Sequence, residues 1–300
     1  AWCAAVGPAV VAPGPARATA VLDSLAVLCW NVHVGGGDIL RFVGDLRRGE
    51  FTEGRPVDDF IILLQETHHA SPMIPDEVSD KIVPRVIIDT PPSGERIDIV
   101  EAADRLGLHL FYVPSMRNGP TGSTTVPEDR GNAILSTIPL ENLRAMELPF
   151  EFYRRVNVAA TVRGVTTDGE PWELHACSVH FATRTGFPRY FVSLGTGRLR
   201  QAKATVAALP DSNVVLGGDF NTWALGSIEA ALHHIRRYYR QPLKLDGKGT
   251  TQLKFFPDRR IDYLFFRLPG GRTARYRRID DTYGSDHYPL IGWVQLADTP

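Results

Sequence analysis

The chain has 300 residues, of which 43% are hydrophobic and 22% are charged, and its formal net charge at pH 7 is −1. These values fit one large domain or two small ones with a sizeable core, and they exclude an overall basic field for nucleic acid or anionic membranes. The lack of an apolar run of about 18 residues excludes a transmembrane helix, and three cysteines are too few for a disulfide framework.

The first 20 residues are rich in alanine, proline and valine and almost uncharged, and they begin with alanine rather than methionine. The small residues Ala18, Thr19 and Ala20 resemble a cleavage site. We therefore interpret residues 1–20 as a leader or a disordered N-terminal segment that precedes one domain over residues 21–300. A leader favours a secreted or periplasmic location, and the alternative favours the cytoplasm.

From Leu25 onward, short apolar runs bounded by turn residues predict β-strands. In chain order these are 25–32, 60–66, 108–114, 131–137, 156–164, 172–181, 213–220, 260–266 and 290–296. Helices are predicted over 93–107, 197–210 and 227–242. Many strands with few helices indicate packed sheets flanked by helices rather than a doubly wound parallel fold.

Two local features complete this prediction. Residues 115–131 are polar and contain glycine, which predicts a long mobile loop that faces the substrate. Ser227 can cap the last predicted helix, and Pro242 can end it.

Polar residues stand at the ends of several predicted strands. In chain order they are Asn31, Glu66, His180, Asp219, Asn221 and Asp262, with Asp286 and His287 just before the last strand. Singly, most are explained as turn caps, solvated charges or buried hydrogen-bonded side chains. Asp262 is the hardest to explain in this way, because a buried carboxylate needs a partner. Together they form the set that hydrolysis of a phosphate ester requires.

The carboxylates and amides in this set can serve a metal ion and a water molecule. Mg²⁺ prefers carboxylate and amide oxygens and needs only one or two carboxylates, and Asn31, Glu66 and Asp286 can supply them. Asp219 and Asn221 lie two residues apart at the end of a strand, so both can face and orient an attacking water.

The two histidines can act on the negative charge of the transition state. His180 and a protonated His287 can stabilise phosphoryl oxygens together with the metal. An aspartate beside a histidine fixes the ring tautomer and raises the pKa of the imidazole, and Asp262 can do this for His287.

Seven motifs occur in a fixed order: WNV, LQE, GNAILS, SVHF, GGDFN, RIDYLFF and GSDHYPL. With these motifs the chain resembles the endonuclease/exonuclease/phosphatase superfamily, which has a deoxyribonuclease I-like fold, over about residues 25–298. The resemblance implies an α/β four-layer sandwich of two packed, mostly antiparallel β-sheets flanked by helices. It also implies a Mg²⁺-dependent hydrolase of phosphate esters, with Mn²⁺ as an alternative, whose active site lies where strand ends of both sheets meet.

The resemblance assigns roles to individual positions. The family's metal site matches Asn31, Glu66 and Asp286. Its water-orienting pair matches Asp219 and Asn221, and its Asp–His dyad matches Asp262 and His287. His180 matches a histidine of the deoxyribonuclease and sphingomyelinase branches, and His33 replaces an aspartate of the abasic-site endonucleases. The chain is therefore closer to the branch with two catalytic histidines.

Three further residues are predicted to bind the substrate. Asn132 falls in a strand that borders the site, and Arg155 and Arg184 belong to arginine clusters before and after His180. Arg236, Arg237 and Arg240 form a third cluster, interleaved with tyrosines as in contacts to a nucleic-acid backbone. A solvated helix end explains this third cluster equally well.

The fold and the site chemistry leave the substrate open, because enzymes of DNA, phospholipids and inositol phosphates share them. We favour a nuclease-like phosphodiesterase, a monomer acting on DNA or RNA by direct water attack. The alternatives are a sphingomyelinase-like or inositol-phosphate phosphoesterase, for which residues 147–153 would provide the apolar lipid contact, and a non-catalytic binding member. A non-catalytic member would normally have lost a metal or dyad residue, and none is lost here.

Overall fold

The computed structural model describes residues 4–79, 81, 94–119, 125–183, 196–222, 229–239, 243–253 and 256–297. The strands within these ranges are β1 Val10–Ala12, β2 Ala20–Val21, β3 Ser24–Asn31, β4 Phe60–Ala70, β5 His109–Asn118, β6 Glu128–Ser136, β7 Glu141–Glu147, β8 Val156–Val165, β9 Pro171–His180, β10 Val214–Asp219, β11 Leu243–Lys244, β12 Thr251–Leu253, β13 Phe256–Arg259, β14 Asp262–Arg267, β15 Ala274–Arg278 and β16 Leu290–Gln295. The helices are α1 Ile39–Arg48, α2 Ile99–Leu106, α3 Thr196–Ala208 and α4 Ala230–Tyr238. All nine strands predicted from the apolar runs are confirmed.

The strands form two large sheets and one small one. The first sheet has eight strands in the order β1-β5-β6-β4-β3-β16-β15-β11. The second has six strands, with β14-β10-β9-β8-β2 in order and β7 paired to β8, and β12 pairs with β13 in a separate two-stranded sheet. Among the described strands of the large sheets, only four neighbouring pairs are parallel: β3–β4, β11–β15, β9–β10 and β2–β8. The prediction of mostly antiparallel sheets is confirmed.

The two large sheets pack face to face, and helices cover their outer faces. The central core joins residues of both sheets, including Val27, Leu63, Ile134, Val158, Leu174, Val215 and Leu264. A second core lies under α1 and α2, and a third under α3 and α4. The order of layers is thus helix, sheet, sheet, helix, as the sequence predicted. Strands covered on both faces are continuous apolar runs, which explains why they were recognised so readily.

The helices differ from their predicted bounds. The sequence did not predict α1, which is amphipathic. It begins after Asp38, whose side chain accepts the Arg41 N–H, and ends at Arg48 with Gly49 as its C-cap. α2 begins at Ile99 rather than at residue 93, because the Asp98 side chain caps it. The predicted Ser227 cap of α4 lies outside the described residues. No helix among the described residues is long and apolar enough to cross a membrane.

The predicted loop over residues 115–131 is wrong at both ends. β5 continues to Asn118 and β6 starts at Glu128, and the two strands pair in a register that places Arg117 opposite Asp129. Their polar side chains are buried, so the polar composition that indicated a loop belongs to paired strands. Tertiary pairing overrides local composition here.

The described part of the N-terminal segment packs against the eight-stranded sheet. β1 pairs with β5, and the Gly14 N–H donates to His109 Nδ1. Ala5 and Val6 are buried, and the Gly7 N–H donates to Asp129 Oδ2. The interpretation of residues 1–20 as a leader stays a prediction.

The first testable prediction concerns Asp129, which is fully buried. Burial raises the pKa of its carboxyl from 3.8 to about 7. The folded chain then holds a proton that the unfolded chain releases, so the free energy of unfolding should fall as the pH rises between these two values. Asp129→Asn removes this penalty, and its stability gain should be larger at pH 8 than at pH 5 by about 2 kcal/mol. Denaturant titrations at both pH values measure this, and equal gains would contradict it.

Candidate active site

Three neighbouring strands of the six-stranded sheet place His180, Asp219 and Asp262 side by side. Asp219, the last residue of β10, is in register with His180 on one side and with Asp262 on the other. Directly opposed residues in a sheet have side chains within contact range, and His180 Nε2 lies 3.6 Å from Asp219 Oδ2. All three side chains are buried. The strand ends therefore align one imidazole and two carboxylates in a row.

The glycine before this row has a packing role. A Cβ atom at Gly217 would lie 2.7 Å from Leu264 Cδ2 and 2.8 Å from Leu63 Cδ1, so a larger residue would require these two core side chains, one from each sheet, to shift. Part of the GGDFN motif is thus explained by the close approach of the sheets rather than by chemistry.

The dyad predicted from the sequence is formed. His287 Nδ1 lies 2.9 Å from Asp262 Oδ2, and the Thr251 hydroxyl donates to the same oxygen at 2.9 Å. Burial alone would lower the pKa of His287, but the charges of Asp262 and Asp219 raise it to about 10. His287 is therefore a cation at neutral pH, with its Nε2 on the side of Asp219.

Asp219 is held by two amide donors. Its Oδ1 accepts the Asn221 backbone N–H at 2.8 Å, and its Oδ2 accepts Asn31 Nδ2 at 3.2 Å. Burial, with the nearby charge of Asp262, raises the pKa of Asp219 to about 7. Asn221 adopts a left-handed backbone with φ of 49°, and its Nδ2 donates to the Phe181 carbonyl. The backbone strain is typical of functional turns.

Glu66 lies at an irregularity of β4, where the pairing with β6 shifts between Leu64 and Thr67. Its φ is 55°, so the bulge turns the side chain into the site. Glu66 Oε2 lies 3.5 Å from Arg130 Nη1, and Oε1 lies 3.7 Å from His180 Nε2. Burial opposes ionisation, but neighbouring charges, of which that of Arg130 is the largest, lower the pKa of Glu66 to about 2. Both contacts are long, so the carboxylate oxygens keep lone pairs for another partner.

The other predicted residues at this edge are a neutral His180 and an ionised Asp286. Burial and the charge of Arg155 lower the pKa of His180 well below 6.5, so this ring is neutral. Asp286 Oδ1 lies 3.1 Å from His33 Nδ1 and 3.8 Å from His287 Nε2. Burial opposes ionisation of Asp286, but the His33 contact lowers its pKa. The predicted catalytic and metal residues thus form one connected cluster.

Two sets of residues offer donors to a divalent cation. One described group of carboxylates and histidine has its ligand atoms within 4.8 Å of one another, namely Asp219, Asp262 and His287. In this group the His287 ring is cationic and Asp262 is engaged by hydrogen bonds, which makes both poor ligands. The predicted set of Asn31, Glu66 and Asp286 offers only oxygen ligands, in keeping with the preference of Mg²⁺.

Of the predicted substrate-binding residues, Arg155 best fits an anion site. It is 4% exposed, and its Nε and Nη1 have no hydrogen-bond partner in the described parts of the chain. Burial lowers its pKa to about 10, so it stays charged. The Asn132 amide instead donates to the Val156 and Ser178 carbonyls, which gives it a bridging role. Arg184 lies outside the described residues.

Sequence reasoning missed two residues of the site. Arg130 comes directly before the GNAILS motif and was assigned to a loop, although it is 6% exposed beside Glu66. Thr251 holds Asp262 from β12, a three-residue strand without an apolar pattern. Only the nearness of Arg130 to a recognised motif provided a signal in the sequence.

Of the third arginine cluster, Arg237 lies away from this edge. Arg237 lines a groove of about 590 Å³ together with Tyr238, Arg267 and Arg272. Arg267 is five residues along β14 from Asp262, which is about 17 Å in an extended strand. Arg240 lies outside the described residues. The position of Arg237 therefore does not favour a path for the scissile strand past these arginines.

A four-layer sandwich with carboxylates, amides and histidines at one edge defines the class of deoxyribonuclease I-like folds, whose members hydrolyse phosphate esters. The chain belongs to the Endonuclease/Exonuclease/phosphatase family, whose model matches residues 28–287. The resemblance found in the sequence motifs is thereby confirmed. No curated protein matches the chain in sequence.

Several solved structures share the fold. An endonuclease/exonuclease/phosphatase family protein from Leptotrichia buccalis is 16% identical, with a TM-score of 0.54 over 91% of this chain and 99% of that protein. A conserved protein of unknown function from Enterococcus faecalis is 15% identical, with a TM-score of 0.53 over 91% and 100%. The APE2 catalytic domain from Xenopus laevis is 13% identical, with a TM-score of 0.50 over 90% and 91%. At these identities the likeness establishes the fold alone.

Proposed function

We propose that the protein is a divalent-metal-dependent phosphodiesterase that cleaves its substrate by direct attack of water, with a nucleic-acid backbone as the substrate class. The observation that carries this proposal is the row of His180, Asp219 and Asp262 in cross-strand register, completed by His287. It combines a partly neutral base, a neutral imidazole and a fixed imidazolium within one buried cluster. Such a set of groups suits proton transfer and charge stabilisation at a phosphoryl centre.

Mg²⁺, or Mn²⁺ in its place, fits the oxygen donors of Glu66, Asn31 and Asp286. Glu66 remains ionised, and its contacts with Arg130 and His180 among the described residues are long, so its oxygens are available to a cation. When bound, the metal would act as a Lewis acid on a phosphoryl oxygen. Asn31 also donates to Asp219, so one amide connects the metal ligands with the water-orienting pair.

The chain's own groups account for the remaining tasks. Asp219, whose carboxyl has a raised pKa, can accept a proton from a water that Asn221 helps to orient. His287, held by Asp262, can donate from Nε2 to a phosphoryl oxygen or to the leaving group. Arg155 can bind a non-bridging oxygen through its unpartnered Nε and Nη1, which stay charged at neutral pH.

A nucleic-acid substrate is favoured over a lipid by the packing of residues 147–153. In this segment Leu148 is 4% exposed, and Phe150 is its one large hydrophobic residue with an exposed side chain, at 43%. A single exposed phenylalanine is ordinary for a protein surface and does not form a patch for a lipid bilayer. The sphingomyelinase-like alternative therefore loses the feature that the sequence offered for it.

A substrate panel with purified protein and Mg²⁺ tests the proposal: plasmid DNA, RNA, sphingomyelin, phosphoinositides and bis-p-nitrophenyl phosphate. We expect nicking of the plasmid and hydrolysis of the small diester, with both lost in excess chelator. The control Arg237→Ala should nick plasmid at the wild-type rate, because Arg237 lines the groove with Arg267 and Arg272 rather than the site. Selective hydrolysis of sphingomyelin or of a phosphoinositide would replace the proposed substrate class. No hydrolysis of any member with either metal would refute the reaction itself.

A further inference from the structure

Helix α3 buries a polar stripe where most helices bury apolar residues. Arg198, Gln201 and Thr205 follow one another at spacings of three and four residues, and all three are 0% exposed. The neighbouring Leu199 is partly exposed. This inverts the usual amphipathic pattern, in which apolar residues face the core. The polar stripe therefore needs an explanation in the contacts that it makes.

The guanidinium of Arg198 bonds both a carboxylate and two backbone carbonyls. Its Nε and Nη2 form a fork on the carboxylate of Glu229, at 3.0 and 3.2 Å, and both side chains are fully buried. Its Nη1 donates to two successive backbone carbonyls, Ala182 at 3.3 Å and Thr183 at 3.2 Å. Gln201 adds a further bond, because its Oε1 accepts the Ala182 N–H at 2.9 Å. The polar stripe thus bonds the backbone carbonyls of residues 182 and 183 and the N–H of residue 182.

Residues 181–183, which include this hydrogen-bonded backbone, directly follow His180 and contact two other residues of the site. The Phe181 carbonyl accepts Asn221 Nδ2 at 3.0 Å, and the Phe181 N–H donates to the Asp219 carbonyl at 3.0 Å. The Thr183 hydroxyl lies 3.5 Å from Arg155 Nη2. Residues 181–183 therefore connect the polar stripe of α3 with the water-orienting pair and with the anion-binding arginine.

We infer that Arg198, held by Glu229, is a positioning residue that sets the backbone of residues 181–183 and thereby the side chains of Asn221 and Arg155. The inference rests on the proposed function for its kinetic consequence. A buried ion pair is often no more stabilising than apolar residues of similar volume, so fold stability alone does not account for it. A lysine could not replace the arginine, because its single ammonium lacks the planar fork that binds Glu229 and two carbonyls together.

Two variants separate positioning from stability. Arg198→Met/Glu229→Met removes both charges together, so the fold should keep most of its thermal stability, yet the Arg198 bonds to the Ala182 and Thr183 carbonyls are lost. We expect its kcat for bis-p-nitrophenyl phosphate to fall by ~10- to 100-fold, with a smaller change in KM, because small misplacements of reacting groups are costly. Glu229→Gln leaves Arg198 charged and bonded to the carbonyls, so it should lower stability more and kcat less than the double variant.

A readout without substrate accompanies the kinetics. Hydrogen exchange of the Asn221 side-chain amide, measured by NMR, should be faster in Arg198→Met/Glu229→Met than in the wild type and nearly unchanged in Glu229→Gln. The control Arg163→Met/Glu173→Met removes an exposed ion pair of 2.7 Å and should change neither measurement. Wild-type exchange at Asn221 in the double methionine variant would overturn the inference. Should the wild-type protein hydrolyse no diester, the proposed function fails, and the exchange measurement still decides the positioning role.

Discussion

Replacing Asp219 by asparagine is expected to lower kcat for a small diester by about 10³-fold or more, with little change in KM. Asparagine has the same shape, and its Oδ1 can still accept the Asn221 backbone N–H that now binds Asp219 Oδ1 at 2.8 Å. What the variant loses is the carboxylate charge, its capacity to accept a proton from water, and the bond that Asp219 Oδ2 accepts from Asn31 Nδ2 at 3.2 Å. A loss confined to the transition state lowers kcat and leaves ground-state binding intact.

The same variant separates catalysis from a structural turn cap. Asp219 is buried next to Asp262 in cross-strand register, so removing its charge relieves desolvation and a like-charge repulsion, which offsets the lost bond from Asn31 and should keep the thermal midpoint near that of the wild type. A cap role predicts the reverse, a less stable protein with normal turnover. Measuring kcat, KM and the thermal midpoint on one preparation distinguishes the two. Asp211→Asn is the control, because Asp211 is 94% exposed and lies just before the opposite end of β10.

The sequence predicted the strands of this site but not their arrangement. An apolar run ends at each of Asn31, Asp219 and His180. This local pattern is the same for every order of the strands, so it does not show which strands are neighbours. The neighbour relation between β9 and β10 is a parallel pairing that joins distant parts of the chain. Only tertiary packing fixes this register. The shared family pattern therefore supplied the constellation that local periodicity could not.

Elements with unusual polarity were missed for a physical reason. β7 and β15 carry charged residues because they lie at or near sheet edges, where charge prevents unwanted pairing, and such strands lack an apolar run. Helix α3 was predicted, but its face could not be assigned, since the residues that it buries are the polar ones. The positioning role of Arg198 follows from contacts with residues 182 and 183 that no spacing rule contains.

Removal of the metal should have a comparably large effect, and Glu66→Gln is the variant that tests which residue holds it. The pKa of Glu66 lies near 2, so this substitution removes one full negative charge from the site at any working pH. Loss of a charged oxygen ligand should weaken Mg²⁺ binding and lower kcat/KM at limiting Mg²⁺ by at least about 100-fold. The fold should survive, because one weakly held cation is a minor stabilising contribution.

The Mg²⁺ concentration that gives half-maximal diester hydrolysis is the decisive measurement, because it separates a lost ligand from a lost general base. If Glu66 is the main ligand, this concentration rises in Glu66→Gln and part of the activity returns at high Mg²⁺. Asp219→Asn should instead keep the wild-type Mg²⁺ dependence at a lower plateau. The exposed Glu170 provides the matched control, since Glu170→Gln makes the same chemical change far from any site residue. Full wild-type activity in excess chelator would refute the metal requirement itself. An unchanged Mg²⁺ dependence in Glu66→Gln would instead remove Glu66 from the metal site and leave the described group of Asp219, Asp262 and His287 as the other candidate.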